Sequence, residues 1–209
     1  MNDSLPHIRI GYRDTVPEEI IDHLTRTIAH EGLDLRVEAA PADEVFAALE
    51  WLLPTAIVIF LGKGYFDAFL KEAGKDHYHL LKTGVASLWR ACFGSKRAIR
   101  PQIIAAAGKI PEAGPYSLAF SIMAEAEGGY RFKLLLEDSL DEKAFGAVTG
   151  RFLDFLEAYH ATKGETPLVE GIRDVRVVGR TILVAYDKAQ GVFRVVDPVP
   201  RREKGQSGP

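Results

Sequence analysis

Residues 55–61, TAIVIFL, are apolar at almost every position. A strand with one wet face alternates apolar and polar residues. A strand this apolar is covered on both faces, as in a sheet flanked by helices. The segment therefore points to a layered α/β arrangement, and its neighbours agree. HIRIGYR (7–13) alternates Ile8, Ile10 and Tyr12 and reads as a strand. Thr15-Val-Pro-Glu18 matches a capping box with Pro17 in the first turn. Ile20, Ile21, Leu24 and Ile28 follow at helical spacing, and Gly32 stops that helix. Leu33, Leu35 and Val37 alternate as a second strand. Asp43 then caps a helix that presents Val45, Phe46, Leu49 and Leu52 on one face and ends before Pro54.

After 55–61 a third helical region is expected to break at Gly74 and to resume with Tyr78, Leu81, Val85, Leu88 and Trp89. AIRPQIIAAA (98–107) reads as a fourth strand, with Pro101 at an edge or outside the ladder. Residues 1–110 are thus expected to form an α/β domain. Its sheet would be doubly wound and mostly parallel, in flavodoxin-like order.

The pattern changes at GKIPEAGPYS (108–117), where two prolines and two glycines mark a boundary or a long crossover. YSLAFSIMAEA and YRFKLLLE flank Glu127-Gly128-Gly129 as a hairpin. A helix from about Asp141 to His160 carries Phe145, Val148, Phe152, Phe155, Leu156 and Tyr159. IRDVRVVGRTILVAYDKAQGVFRVVD reads as a three-stranded meander turning at Gly179 and near Gly191. Residues 111–198 are therefore expected to be an antiparallel α+β half, either sharing the first half's sheet or forming a second layer. Residues 199–209 have too little apolar content to fold and are expected to be a disordered tail.

Charge and cysteine content narrow the function classes. The net charge of −3 gives no global pull toward nucleic acid or anionic membrane. The single cysteine, Cys92, excludes an internal disulfide framework and a cysteine-based zinc site, and it fits a cytoplasmic setting. It follows Trp89 at helical spacing and reads as a buried, inert thiol. MNDSLPHIRIGY lacks the basic flank and apolar core of a signal peptide, and AIVIFL is far too short to span a bilayer. No G-x-S-x-G elbow occurs. No metal or cofactor set is read from the sequence.

The best site candidate is Gly62-Lys63-Gly64 with Tyr65, where the apolar strand meets a helix. Ligands of open α/β sheets sit beyond the carboxyl ends of strands, and helix N-terminal amides favour anions. Lys63 adds a positive charge, and glycine permits close approach. Equally, a tight strand-to-helix turn uses glycine for steric reasons alone, and this triplet is neither a P-loop nor G-x-G-x-x-G. A small anionic or nucleotide ligand is the expectation if the junction binds anything. Glu72, Asp76 and His79 share a face on a continuous helix and could do acid-base work, but read better as a solvated face beside Lys71, Lys75 and Lys82. His23 and His30 read as surface residues, and no motif surrounds His7 or His160. The aromatics Tyr65, Phe66, Phe69, Tyr78 and Trp89 read as a packed helix face, or a protein–protein surface where exposed.

Two of these segments carry a family resemblance. IRIGYRD is similar to the opening strand of TIR domains, and AIVIFLGKGYFDAFLKE resembles their central strand and the helix after it. The likeness covers residues 8 to about 75. It implies a flavodoxin-like α/β fold. In NAD-cleaving members that helix holds a catalytic glutamate, and Glu72 falls about two residues early of the expected position. The small polar residue usual after the strand is Gly62 here, and the family's tryptophan-cysteine pair is absent. The sequence thus supports two functional expectations. One is a non-catalytic soluble module that senses a ligand or binds a protein partner. The other is a TIR-like NAD-cleaving hydrolase with Glu72 at the ribose. Neither nucleic acid nor membrane is an expected partner.

Overall fold

A computed structural model describes residues 5–41, 55–95, 98–99, 115–164 and 177–197. Among the described residues the strands form one seven-stranded mixed sheet, and the protein is α/β. The first three strands are β1 (Ile8–Arg13), β2 (Leu35–Ala40) and β3 (Ile57–Leu61). They are followed by β4 (Phe120–Glu125), β5 (Arg131–Leu135), β6 (Thr181–Asp187) and β7 (Val192–Val196). Their order across the sheet is β2-β1-β3-β4-β5-β6-β7, so both halves of the chain build the same sheet.

Strand directions depart from the expectation in two places. β1 pairs β2 in parallel but β3 antiparallel, with Ile10 opposite Ile59. The first half is therefore not a purely parallel sheet. In the second half β4 and β5 form the expected antiparallel hairpin around Glu127–Gly129. β5 and β6, however, are parallel, because helix α4 (Glu142–Ala161) carries the chain back between them. β6 and β7 close with an antiparallel hairpin turning at Gly191. The expected helix after Asp43, the strand over 98–107 beyond residue 99, the first strand of the meander up to residue 176 and the 199–209 tail lie outside the described residues.

Helix α1 (Glu18–Ile28) buries Ile21, Leu24 and Ile28. Its cap position is Pro17, with no side-chain cap, so the capping box does not form. Thr15 stands two residues before the cap position and belongs to the turn in which the Val16 amide bonds the Arg13 carbonyl. Helix α2 (Leu70–Ser87) runs without a break through Gly74. α1 and α2 pack directly, and Gly84 sets their spacing. A methyl group there would stand 2.8 Å from Ile28 Cγ2 and 3.0 Å from Leu24 Cδ1. A short helix α3 (Trp89–Cys92) follows. In α4, Asp141 caps as expected, its carboxylate accepting the Ala144 amide at 2.7 Å.

One large core unites the sheet with these helices. Ile8 and Ile10, Ile57 and Ile59, and Phe120 and Ile122 join Leu24, Leu81, Phe145 and Phe152 in it. Residues at the alternate strand positions, Leu135, Leu183 and Ala185, form a second small cluster with Tyr116 and Val196. β3 is thus buried at positions of both parities, as its unbroken apolar run requires. No helix among the described residues is long and apolar enough to cross a membrane.

Candidate functional site

The Gly62–Gly64 junction is built against the segment that enters β1. The Gly62 amide donates to the His7 carbonyl at 3.0 Å. A Cβ on Gly62 would lie 2.4 Å from the Pro6 carbonyl oxygen. A Cβ on Gly64 would meet the His7 ring at 3.2 Å. Close packing against backbone therefore requires Gly62, whereas at Gly64 the contact is with a side chain that can give. The Lys63 amide at this helix start donates to Glu125 Oε2 at 2.8 Å. The anion at the helix N-terminus in this structure is thus a carboxylate of the protein itself.

The chain then makes a π-helical turn over Tyr65–Phe69, which flows into α2. Tyr65, Phe66 and Phe69 are all buried there. Wide turns of this kind recur at functional sites. Tyr65 faces the core rather than a ligand surface. Its hydroxyl lies 3.1 Å from His77 Nδ1, and His77 Nε2 lies 2.8 Å from the Ile28 carbonyl. A carbonyl can only accept, so Nε2 carries the proton, Nδ1 accepts, and the Tyr65 hydroxyl donates. His77 thereby satisfies a carbonyl at the C-terminal end of α1. Burial holds the His77 pKa below its ordinary value despite the Ile28 bond, and drives the Tyr65 phenol upward.

Phe66 turns the other way and opens onto a cleft of about 850 Å³. The cleft lies between the π-helical turn, the start of α2, the last turn of α4 and the β4–β5 turn. It sits beyond the carboxyl ends of the parallel pair β3 and β4, where open α/β sheets hold ligands. The Lys63 ammonium donates to Glu127 Oε1 at 2.6 Å and stands 4.0 Å from Asp67. This pairing raises the Lys63 pKa and lowers that of Glu127. Both side chains are about two-fifths exposed, so solvent screening leaves the pair loosely held. The Glu127 amide donates to the Tyr159 hydroxyl, which pins the β4–β5 turn to α4.

His160 forms part of the cleft wall and is only 6% exposed. Its ring stacks on Phe66 with centroids 4.5 Å apart and planes 12° apart. Both ring nitrogens are sheltered from water and neither makes a hydrogen bond of good geometry, although the Glu125 carbonyl lies close enough to act weakly on the ring. Burial lowers the His160 pKa, and Lys63 pushes the same way. Asp67, Glu127 and the Glu125 carbonyl pull in the opposite direction without prevailing. The ring is therefore neutral at pH 7, with its acceptor nitrogen unused and its N–H met at best weakly by the Glu125 carbonyl. A buried polar side chain so poorly bonded calls for an explanation, and a ligand supplies one.

Among the residues singled out from sequence, Lys63 reaches the cleft, Gly62 and Gly64 pack against Pro6 and His7 rather than lining it, and Tyr65 points away. Glu72 lies in α2, with its side chain outside the described residues. Asp76 and His79 are exposed on the same helix. Cys92 is buried and its thiol pKa is pushed up to about 12, which makes it inert. No group of three or more metal-ligating side chains occurs among the described residues. His160, Glu127 and Lys163 were not anticipated as site residues, because each comes from a segment distant from the junction. A signal for His160 was present. Phe152, Leu156 and His160 follow at four-residue spacing, so the histidine continues an apolar helix face.

The two neutral histidines make stability depend on pH. Each has a folded pKa below its unfolded value of about 6.5, so the unfolded chain binds more protons as the pH falls through that value. Unfolding free energy is expected to be steady near pH 7.5 and to fall below about pH 6.5. The slope is up to about 1.4 kcal/mol per pH unit for each histidine. Denaturant titrations between these conditions, with His160→Phe alongside, check this: the variant is expected to lose about half of the slope.

Compared with known protein families, curated proteins and solved structures, the chain matches none of them.

Proposed function

We propose that this chain is a non-catalytic, ligand-sensing α/β module whose binding site is the cleft around His160. The observation that carries this reading is the buried His160 ring, with neither nitrogen in a hydrogen bond of good geometry, in the wall of a cleft at the ends of two parallel strands. The charged groups beside it are held by exposed ion pairs that a ligand can exchange at small cost. Glutamine, succinate, adenosine monophosphate and NAD at millimolar concentration, read by thermal unfolding, test the reading. At least one is expected to raise the Tm of the wild type and to leave His160→Phe unmoved. An unchanged Tm with all four, or equal shifts in the variant, would contradict it.

A second reading is NAD cleavage by a TIR-like site. One observation favours it: the cleft adjoins the first turns of α2, the helix that bears Glu72. Nicotinamide release from NAD that vanishes in Glu72→Gln would replace sensing by catalysis. The sensing reading expects no release from either protein.

A further inference from the structure

We propose that the ligand of this cleft is a small zwitterion, an ammonium and a carboxylate a few bonds apart as in a free α-amino acid. The proposal rests on the ligand-binding reading of the same cleft and concerns the chemistry of what enters it. Three lysines and three carboxylates line the cleft: Lys63, Lys71 and Lys163 with Asp67, Glu127 and Glu157. A dianion placed there meets three carboxylates, and a dication meets three ammonium groups. A molecule with both signs is the one that finds a partner for each end.

The pairing within the cleft points the same way. Lys63 is held by Glu127 and Asp67. Lys71, Lys163 and Glu157 have no ion-pair partner among the described residues. Opposite charges thus line one cleft, with one lysine paired to two carboxylates and two lysines and one carboxylate left for a ligand. A zwitterion can part Lys63 from Glu127 and leave both paired, its carboxylate taking the ammonium and its ammonium taking the carboxylate. Both protein charges keep a partner in that exchange, whereas a singly charged ligand replaces the partner of one and leaves the other to solvent.

His160 adds a third match. A neutral imidazole carries one N–H donor and one lone pair, so it can serve a carboxylate from one nitrogen and an ammonium from the other. Its nitrogens are sheltered from water, and the Lys63–Glu127 pair is near enough to act on the ring electrostatically. Phe66, Leu70 and Ala161 give an aliphatic side chain an apolar surface. The charged groups facing His160 are Lys63 and Asp67 from the turn before α2 and Glu127 from the β4–β5 turn.

Calorimetry with NMR of the His160 ring protons tests the class. The probes are glutamine and leucine, their N-acetyl and carboxamide derivatives, succinate and putrescine. A free amino acid is expected to bind and to shift the His160 resonances. Capping either end is expected to weaken binding more than tenfold. Glu127→Gln and Lys163→Met are each expected to weaken it by a similar factor, with circular dichroism unchanged. Tighter binding of succinate or putrescine, with the His160 resonances shifted, would overturn the zwitterion while leaving the site in place. Binding that ignores capping would overturn it in the same way. If no probe moves His160, both the zwitterion and the site fall.

Discussion

Replacing Gly62 by alanine is expected to lower the unfolding free energy by about 3 kcal/mol, the upper end of what overpacking costs. The new methyl would stand 2.4 Å from the Pro6 carbonyl oxygen, which is backbone and cannot rotate away. Relief requires the Pro6–His7 segment to move. That segment accepts the Gly62 amide and leads into the pairing of Ile8 with Leu61. Gly64→Ala is the control. Its methyl meets the His7 side chain at 3.2 Å, which can shift, so a loss of about 1 kcal/mol or less is expected. Urea unfolding with an unchanged m-value reads both variants. If Gly62→Ala kept full stability, the close approach to Pro6 would not be what the glycine is for.

Replacing Phe66 by alanine is expected to cost about 3 kcal/mol, the lower end for a buried phenylalanine because water can enter from the cleft. Phe66 is 5% exposed, packs edge-on against Tyr65 at 5.1 Å and stacks on His160. Its removal also takes the cover from His160. Burial is the main cause of the low His160 pKa, so the pKa is expected to rise back toward about 6.5 in the variant. His160→Phe is the counterpart. It keeps a ring against Phe66 and removes two poorly bonded buried nitrogens, so it is expected to raise stability by about 1–2 kcal/mol while abolishing ligand response. Stability measurements and a histidine NMR titration check the set. A His160 that titrates unchanged in Phe66→Ala would remove burial as the cause.

Much of the secondary structure was legible from residue patterns. The alternation in IRIGYR, the unbroken run in IVIFL and the helix starting after Asp141 each survive at nearly the expected bounds. The Glu127–Gly129 and Gly191 hairpins also form where the turn residues stand. Strand direction was not legible. Periodicity reports which faces are buried, and β3 is buried on both whether its neighbour runs parallel or antiparallel. Gly74 misled because a glycine lowers helix propensity by only about 1 kcal/mol, and tertiary packing overrides that. The strand-to-helix turn at Gly62–Gly64 forms where the sequence places it, yet the role of Gly62 is decided by the Pro6 carbonyl, more than fifty residues away in sequence. The cleft was hidden for the same reason. Phe66, Glu127 and His160 meet only once the sheet and α4 are assembled.

Sensing of small polar molecules at His160 requires that a bound ligand perturb that ring. The most direct measurement is a histidine side-chain NMR spectrum of the intact protein, titrated with glutamine. The account predicts saturable movement of the His160 resonances, accompanied by Phe66 and not by the buried His77. Resonances that stay fixed, or that move at His77 and not at His160, would contradict it.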